Sequence, residues 1–216
     1  MALSRLMQSG PADRPQPPSA RRTERAAIPV TCLAARHTEG AVLLPDRLAL
    51  LDSLPKGGVA AEIGVADGSF SAEILGRADP RRLHLVDLWS SHRYAEGEAQ
   101  VRDRFADDIS SGRVSIDKGR STDILRLFPP AYFDWVYIDT DHSYATTAAE
   151  LALCDEAVKP GGLILGHDFC TGNIIKPLVY GVIQAVNEFC VTRNWRYHAL
   201  TLESDGHFSF AIARIS

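Results

Sequence analysis

The stretch Val59 to Leu75, VAAEIGVADGSFSAEIL, constrains this chain more than any other. A short apolar run, Val59 to Ile63, carries one acid, Glu62, near its end. Gly64, Ala66 and Gly68 follow at alternate positions. Asp67 or Ser69 can cap a helix that starts at once and carries Phe70 and Ile74 on one face. Small residues at such a turn let backbone approach a ligand closely, and the first N–H groups of the helix lack intrahelical partners. In an open α/β sheet, a nucleotide-like cofactor sits at this kind of turn. A generic strand–turn–helix without a ligand is the plainer alternative.

The spacing discriminates between cofactors. A dinucleotide fingerprint reads G-x-G-x-x-G, with glycines around a pyrophosphate. Here the pattern is Glu62-x-Gly64-x-Ala66-x-Gly68. A carboxylate repels a pyrophosphate and suits the cationic, hydroxylated S-adenosylmethionine. The stretch resembles the first motif of the class I S-adenosylmethionine-dependent methyltransferases. That resemblance makes Glu62, Gly64, Ala66, Asp67 and Gly68 candidate cofactor-binding residues.

The chain has 216 residues and 45% hydrophobic content, enough for one domain with a full core. Residues 1–27 hold four prolines and five arginines against Asp13 and Glu24. Few large apolar side chains occur there, so the composition predicts a disordered basic tail. A basic arm that folds over a substrate is the alternative. Residues 28–216 form the expected globular domain.

Seven strands are expected: Val59–Ile63, Arg82–Asp87, Val114–Asp117, Tyr132–Asp139, Leu163–Gly166, Trp195–Leu200 and His207–Arg214. Helices are expected over Pro45–Leu54, Glu96–Ile109, Ser121–Leu127, a segment capped by Ser143, and Pro177–Val191. Alternating strands and helices imply a doubly wound parallel sheet. The turn Ser204-Asp205-Gly206 is short, so the last strand runs antiparallel. The expected fold is therefore α/β: a Rossmann-like, doubly wound, seven-stranded sheet, mostly parallel, with an antiparallel last strand. This is the layout of the class I methyltransferases, and the resemblance spans about Leu48 to Arg214.

The net charge of −4 gives no general reason to expect nucleic acid or a membrane surface as partner. No apolar run approaches the ~20 residues that span a bilayer. Arg5 is followed by no apolar signal segment, so a cytoplasmic location is expected. The four cysteines contain no C-x-x-C pair. Free thiols are expected, with Cys154 and Cys190 on buried helix faces. A catalytic role for Cys170 would need a dedicated base.

Asp87 ends the second strand, about 20 residues after the glycine turn, where an acid can accept the ribose hydroxyls. A helix cap or a salt bridge is its plainer role. Trp89 can stack on adenine or on an aryl substrate, or pack within its loop. Gly119-Arg120-Ser121 follows the third strand; the resemblance implies that this loop contacts adenine, with Arg120 standing where many relatives have an acid and Ser121 able to donate or accept a hydrogen bond.

Two further segments end central strands: Tyr137-Ile138-Asp139-Thr140-Asp141-His142-Ser143-Tyr144 and Gly166-His167-Asp168-Phe169. Strand ends in an open sheet are neighbours and line the ligand crevice, so Asp139, His167 and Asp168 can converge on one point. Three such ligands leave positions open on a divalent cation. Helix capping or core hydrogen bonding is the alternative for each. His37, His84, His92, His198 and His207 lack such context and read as structural or surface residues.

The I-D-x-D-H-S-Y and G-H-D segments resemble the metal-dependent small-molecule O-methyltransferases, including the macrolide-sugar branch. The resemblance implies that Asp139 and Asp168 are metal ligands and that Asp139 also borders the cofactor. His167, which replaces a frequent carboxylate, would be a ligand or only a neighbour. His142 falls at the position of the general base. It further implies S-adenosylmethionine as cofactor, a divalent cation (magnesium or manganese), and a hydroxylated small molecule such as a natural-product sugar or phenol. The segment Ser90–Gly97 would form a lid, with Arg93 and Tyr94 as substrate contacts. A homo-oligomer is left open. An NAD-type oxidoreductase and a non-catalytic cofactor-binding relative are the competing readings.

Overall fold

The computed structural model describes residues 17–90, 94, 96–173 and 177–215. The chain opens with α1 (Pro18–Ala27), a helix with no buried residue. A disordered tail was the expectation for this segment. Pro18 at the first helical position, followed by Ala, Arg and Glu, instead favours a helix, and α1 packs against a hairpin strand described below. Residues 1–16, and the lid residues 91–93 and 95, lie outside the described residues.

A three-residue strand, β1 (Val42–Leu44), precedes α2 (Arg47–Asp52), whose first turn is capped where the Ala49 N–H donates to Asp46 Oδ1 at 2.8 Å. Then come β2 (Val59–Ile63), the glycine turn, and α3 (Ser69–Glu73), which runs on as a π-helical turn over Ile74–Ala78. The next unit is β3 (Arg82–Asp87) with α4 (Gly97–Arg104) and α5 (Ala106–Ser110). A single helix was expected over Glu96–Ile109. Phe105 breaks it, leaving helical geometry at φ −111° and ψ 26°.

After β4 (Val114–Lys118) and α6 (Ser121–Leu125) come β5 (Phe133–Ile138) and α7 (Tyr144–Ala157). Ser143 caps α7 as expected, its Oγ accepting from the Thr146 N–H at 3.2 Å. The chain continues through β6 (Val158–Gly166) and a small antiparallel hairpin, β7 (Gly172–Asn173) and β8 (Leu178–Val179), which is the hairpin α1 touches. Last are α8 (Val182–Arg193), β9 (Trp195–Thr201) and β10 (Phe210–Arg214). The helix expected from Pro177 begins only at Val182, because residues 178–179 pair as a strand instead.

The main sheet has eight strands, not seven, in the order β1-β9-β10-β6-β5-β2-β3-β4. The additional strand is β1, which pairs in parallel with β9 at the sheet edge. Its Val42 and Leu43 are exposed, so no alternating pattern marks it. β10 alone in this sheet runs antiparallel, wedged between β6 and β9.

Alternate strand residues face opposite layers. Val59, Ala61 and Ile63 of β2, with Val136 and Ile138 of β5, pack into one core under α7 and α8. Trp135 and Tyr137 of β5, with Ala60 of β2, pack into a second core with Leu50, Leu85 and Val101. The chain winds outward from β2 through β3 and β4, then restarts at β5 on the other side. The carboxyl ends of β2 and β5 therefore meet at the switch point, where such sheets bind ligands.

Candidate active site at the carboxyl ends of the sheet

At the switch point β2 and β5 touch through backbone. The Asp139 N–H donates to Ile63 O at 2.7 Å, and the Gly64 N–H to Val86 O at 2.8 Å. Gly64 has φ +92°, and a Cβ there would lie 1.9 Å from the Asp139 carbonyl oxygen. The turn continues in the left-handed region at Ala66 (φ 54°) and Gly68 (φ 77°). Asp67 Oδ1 accepts from the Ser69 N–H at 2.9 Å, and hydrogen bonding by Ser69 holds this exposed carboxyl below its usual range.

Asp87 stands beside this turn and braces it. Its Oδ2 accepts from Val65 N (2.8 Å) and Ala66 N (3.0 Å), and its Oδ1 from Trp89 N (2.9 Å). A carboxylate has about four acceptor positions, so Oδ1 keeps capacity for a ribose hydroxyl. Trp89 takes the packing role. It is buried, and its indole N–H donates to Ala66 O at 2.8 Å.

Glu62 does not stand open to a ligand. It is buried beneath the turn, where the Ser71 hydroxyl donates to its carboxylate. Desolvation pushes its pKa up to about 8. The reason is register: Glu62 shares a face with Ala60, which packs in the Trp135 and Tyr137 core. A group raised in this way favours the fold when protonated. Its contribution is complete below the unfolded pKa and is lost as pH rises through about 8. Thermal melts should show wild type losing stability between pH 5 and 8, on the order of a few kcal/mol more than Glu62→Gln. Parallel curves would overturn this.

Ser121 begins α6, on the side of that helix near Glu150 of α7. Thr140 Oγ1 donates to the Glu150 carboxylate at 2.9 Å. Glu150 is buried, which pushes its pKa up to about 7. The Thr140–Glu150 bond thus ties the loop after β5 to α7.

Beside the turn lies a charged cluster. One donor atom from each of Asp139, His142 and Asp168 lies within 4.8 Å of the other two. His142 Nε2 is 3.1 Å from Asp168 Oδ2, and Nδ1 is 4.0 Å from Asp139 Oδ1. His142 adopts φ 61°, with its carbonyl held by the Gly181 N–H at 2.9 Å and its ring against Tyr180 at 4.6 Å. Desolvation holds the imidazole below its usual pKa against the pull of Asp168. The same cause, reinforced by Asp168, pushes Asp139 up to about 7. A buried carboxylate and a half-buried one that repel one another, with an imidazole, are a donor set that fits a divalent cation.

His167 is not in this group. Its Nδ1 bonds Ser209 Oγ at 2.9 Å, and burial pushes its pKa down to about 4. Asp168 turns off the strand with φ 53°, and its carboxylate faces His142 while the His167 ring faces Ser209. The second imidazole on Asp168 is instead His207, whose Nδ1 bonds Asp168 Oδ1. His207 had been read as structural or surface. The Phe169 N–H donates to Phe208 O at 2.9 Å and brings the two segments together. His84 does have the expected structural role, bonding Asp117 at 2.8 Å within an aromatic cluster. Arg47 of α2 was also missed. Its guanidinium lies 4.5 Å above the Phe70 ring, and its charge acts on Asp139 and His167.

A cleft of about 410 Å³ runs between α1, through Arg21, Arg22 and Arg25, and the β7–β8 hairpin. Another, about 340 Å³, surrounds the Lys159–Asp134 pair at the opposite, amino-terminal end of the strands. No helix among the described residues is long and apolar enough to cross a membrane.

A family model described as a methyltransferase domain matches residues 61–169. The chain belongs to this methyltransferase family. The matched span begins within β2 and ends one residue after Asp168, so it takes in the glycine turn and both strand-end motifs. Membership makes S-adenosylmethionine the cofactor of this methyltransferase and sets aside the oxidoreductase reading. No curated protein matches the sequence.

Solved methyltransferase structures share the fold. One from Clostridium thermocellum, described as an rRNA methylase, is 15% identical with a TM-score of 0.59, covering 79% of this chain and 94% of its own. The tRNA methyltransferase TrmK of B. subtilis is 14% identical with a TM-score of 0.57, covering 80% and 67%. A SAM-dependent methyltransferase from Aquifex aeolicus is 11% identical with a TM-score of 0.57, covering 82% and 90%.

Proposed function

We propose that this methyltransferase moves the methyl group of S-adenosylmethionine to a hydroxyl of a small molecule, with a divalent cation at Asp139 and Asp168. The observation that carries the reading is the Asp139–His142–Asp168 cluster beside the glycine turn. A base next to paired carboxylates suits an oxygen nucleophile, which must lose its proton to attack. A nucleic acid acceptor is the second reading. The net charge of −4 and the acidic cluster disfavour a polyanion, although relatives of this fold are described as RNA methylases.

His142 acts as the base. Asp168 Oδ2 accepts its Nε2–H, which selects the tautomer that leaves Nδ1 free to take a proton. The depressed pKa keeps the imidazole neutral at pH 7, and the imidazolium that forms faces Asp168. S-adenosylmethionine, when bound, would supply a methyl carbon on a cationic sulfonium, open to an oxygen nucleophile and leaving a neutral thioether behind. Asp139 and Asp168 would hold the cation, which supplies Lewis acidity that lowers the pKa of a hydroxyl. The fold orients donor and acceptor at adjoining strand ends, a gain from proximity.

Arg47 is the proposed anchor for the cofactor carboxylate. Arg47→Met is expected to raise the KM for S-adenosylmethionine about tenfold with kcat nearly unchanged. An unchanged KM would remove Arg47 from the site. The four cysteines are free, in keeping with a reducing, cytoplasmic setting.

The deciding experiment is calorimetric titration with S-adenosylmethionine, with and without chelator, followed by methyl transfer to catechol, sugar and hydroxyacid acceptors. Cofactor binding with chelator-sensitive transfer is expected. Chelator-insensitive transfer overturns the cation, and transfer only to RNA overturns the small-molecule acceptor.

A further inference from the structure

Asp168 belongs to two donor groups. One is the Asp139–His142–Asp168 cluster already described. The other is Asp168, Cys170 and His207, whose donor atoms also lie within 4.8 Å of one another. Cys170 Sγ is 3.8 Å from His207 Nδ1, and His207 Nδ1 bonds Asp168 Oδ1.

Backbone geometry builds this second group. Asp168 adopts φ 53°, and the Cys170 N–H donates to Asp168 O at 2.7 Å, a tight turn that brings the thiol back toward the carboxylate. The Phe169 N–H to Phe208 O bond holds the loop before β10 against this turn. The His207 N–H donates to Asp205 Oδ1 at 3.1 Å, fixing that loop from its other side. Three side chains from two segments are thus gathered before any ion arrives.

The two groups differ in chemical softness. Asp139, His142 and Asp168 offer two oxygens and one nitrogen. Asp168, Cys170 and His207 offer oxygen, nitrogen and sulfur. A thiolate with an imidazole selects zinc-like cations over magnesium, and three protein ligands leave a tetrahedral ion one open position.

We propose that Asp168, Cys170 and His207 form a second cation site, specific for a thiophilic divalent ion of the zinc class. On binding, the Sγ–metal bond forms and the thiol proton leaves to solvent. Asp168 is shared, so an ion on its Oδ1 withdraws negative charge from the Oδ2 that faces His142 and slows methyl transfer. That inhibition rests on the reading of His142 as the base, whereas ion binding does not.

The test uses Co²⁺ as a spectroscopic stand-in on the full chain, in a Cys32→Ser background that removes the exposed thiol. Cys154 and Cys190 are buried in helices and stay in place. A thiolate-to-cobalt charge-transfer band is expected, which Zn²⁺ abolishes and Mg²⁺ does not. Cys170→Ser should lose the band, and His207→Ala should weaken binding by about tenfold or more. Asp139→Asn should retain the band. Its absence in the Cys32→Ser protein, or its survival in Cys170→Ser, overturns the proposal. A second readout covers a Cys170→Ser chain that fails to fold: Zn²⁺ should slow alkylation of Cys170, mapped by mass spectrometry, and an unchanged rate overturns the site. Failure here leaves cofactor binding intact, whereas loss of S-adenosylmethionine binding overturns the methyl-transfer reading alone.

Discussion

His142→Gln is expected to lower kcat by about 10²- to 10⁴-fold while S-adenosylmethionine affinity changes less than about twofold. The imidazole is bounded by Asp168, Asp139 and Tyr180. Removing it deletes the proposed proton acceptor and leaves the cofactor turn in place. The pH profile gives an independent check. Burial sets the His142 pKa below its ordinary value, so wild-type kcat/KM should hold down to below about pH 6.5 and then fall as the imidazole takes a proton. The variant should lose that acid limb. If His142 were instead a cation ligand, the variant would raise the metal requirement and recover at high metal concentration. Recovery of full rate by added metal would sink the base assignment.

Gly64→Ala is the second large effect. The added methyl would sit 1.9 Å from the Asp139 carbonyl oxygen and 2.6 Å from its carbon. Both atoms are backbone, so β2 and β5 must part at the switch point. That moves the Asp139 carbonyl and the glycine turn together. A loss of about 3 kcal/mol or more is expected in urea melts, with cofactor binding abolished in whatever remains folded. Gly57 supplies the control. It has a similar left-handed φ of +72°, yet nothing lies within 4 Å of its would-be Cβ. Gly57→Ala should carry only the backbone penalty, about 1 kcal/mol. Equal losses at the two positions would show that the conformation, and not the contact, sets the demand for glycine at 64.

The strand ends were legible because chemistry and pattern coincide there. Asp139, His142 and Asp168 each follow a short apolar run, and the runs themselves mark β5 and β6. His167 was expected as a ligand or only a neighbour, and its ring turns away from Asp168. Adjacent residues share a motif in the chain but not a direction in space, and the structure sends His167 to Ser209. His207 was hidden for the opposite reason. It reaches Asp168 through a bond between residues 169 and 208, a long-range pairing that no local pattern encodes. Glu62 was expected at the cofactor, but its burial against Ser71 depends on which face of β2 turns inward. Both edge elements escaped notice. β1 is three residues long and largely exposed, and α1 is a helix formed by propensity in a stretch whose prolines and arginines read as disorder.

One reversed strand changes who can contribute to the reaction centre. In a wholly parallel sheet, only loops that leave a strand reach the ligand edge. β10 runs the other way, so the loop that enters it arrives at that same edge. His207 and Ser209 come by this route, and they engage Asp168 and His167. Residues 202–209 are therefore a segment through which acceptor preference could be rewritten while the cofactor half of the sheet keeps its sequence. Divergence among related chains would be expected to gather there first.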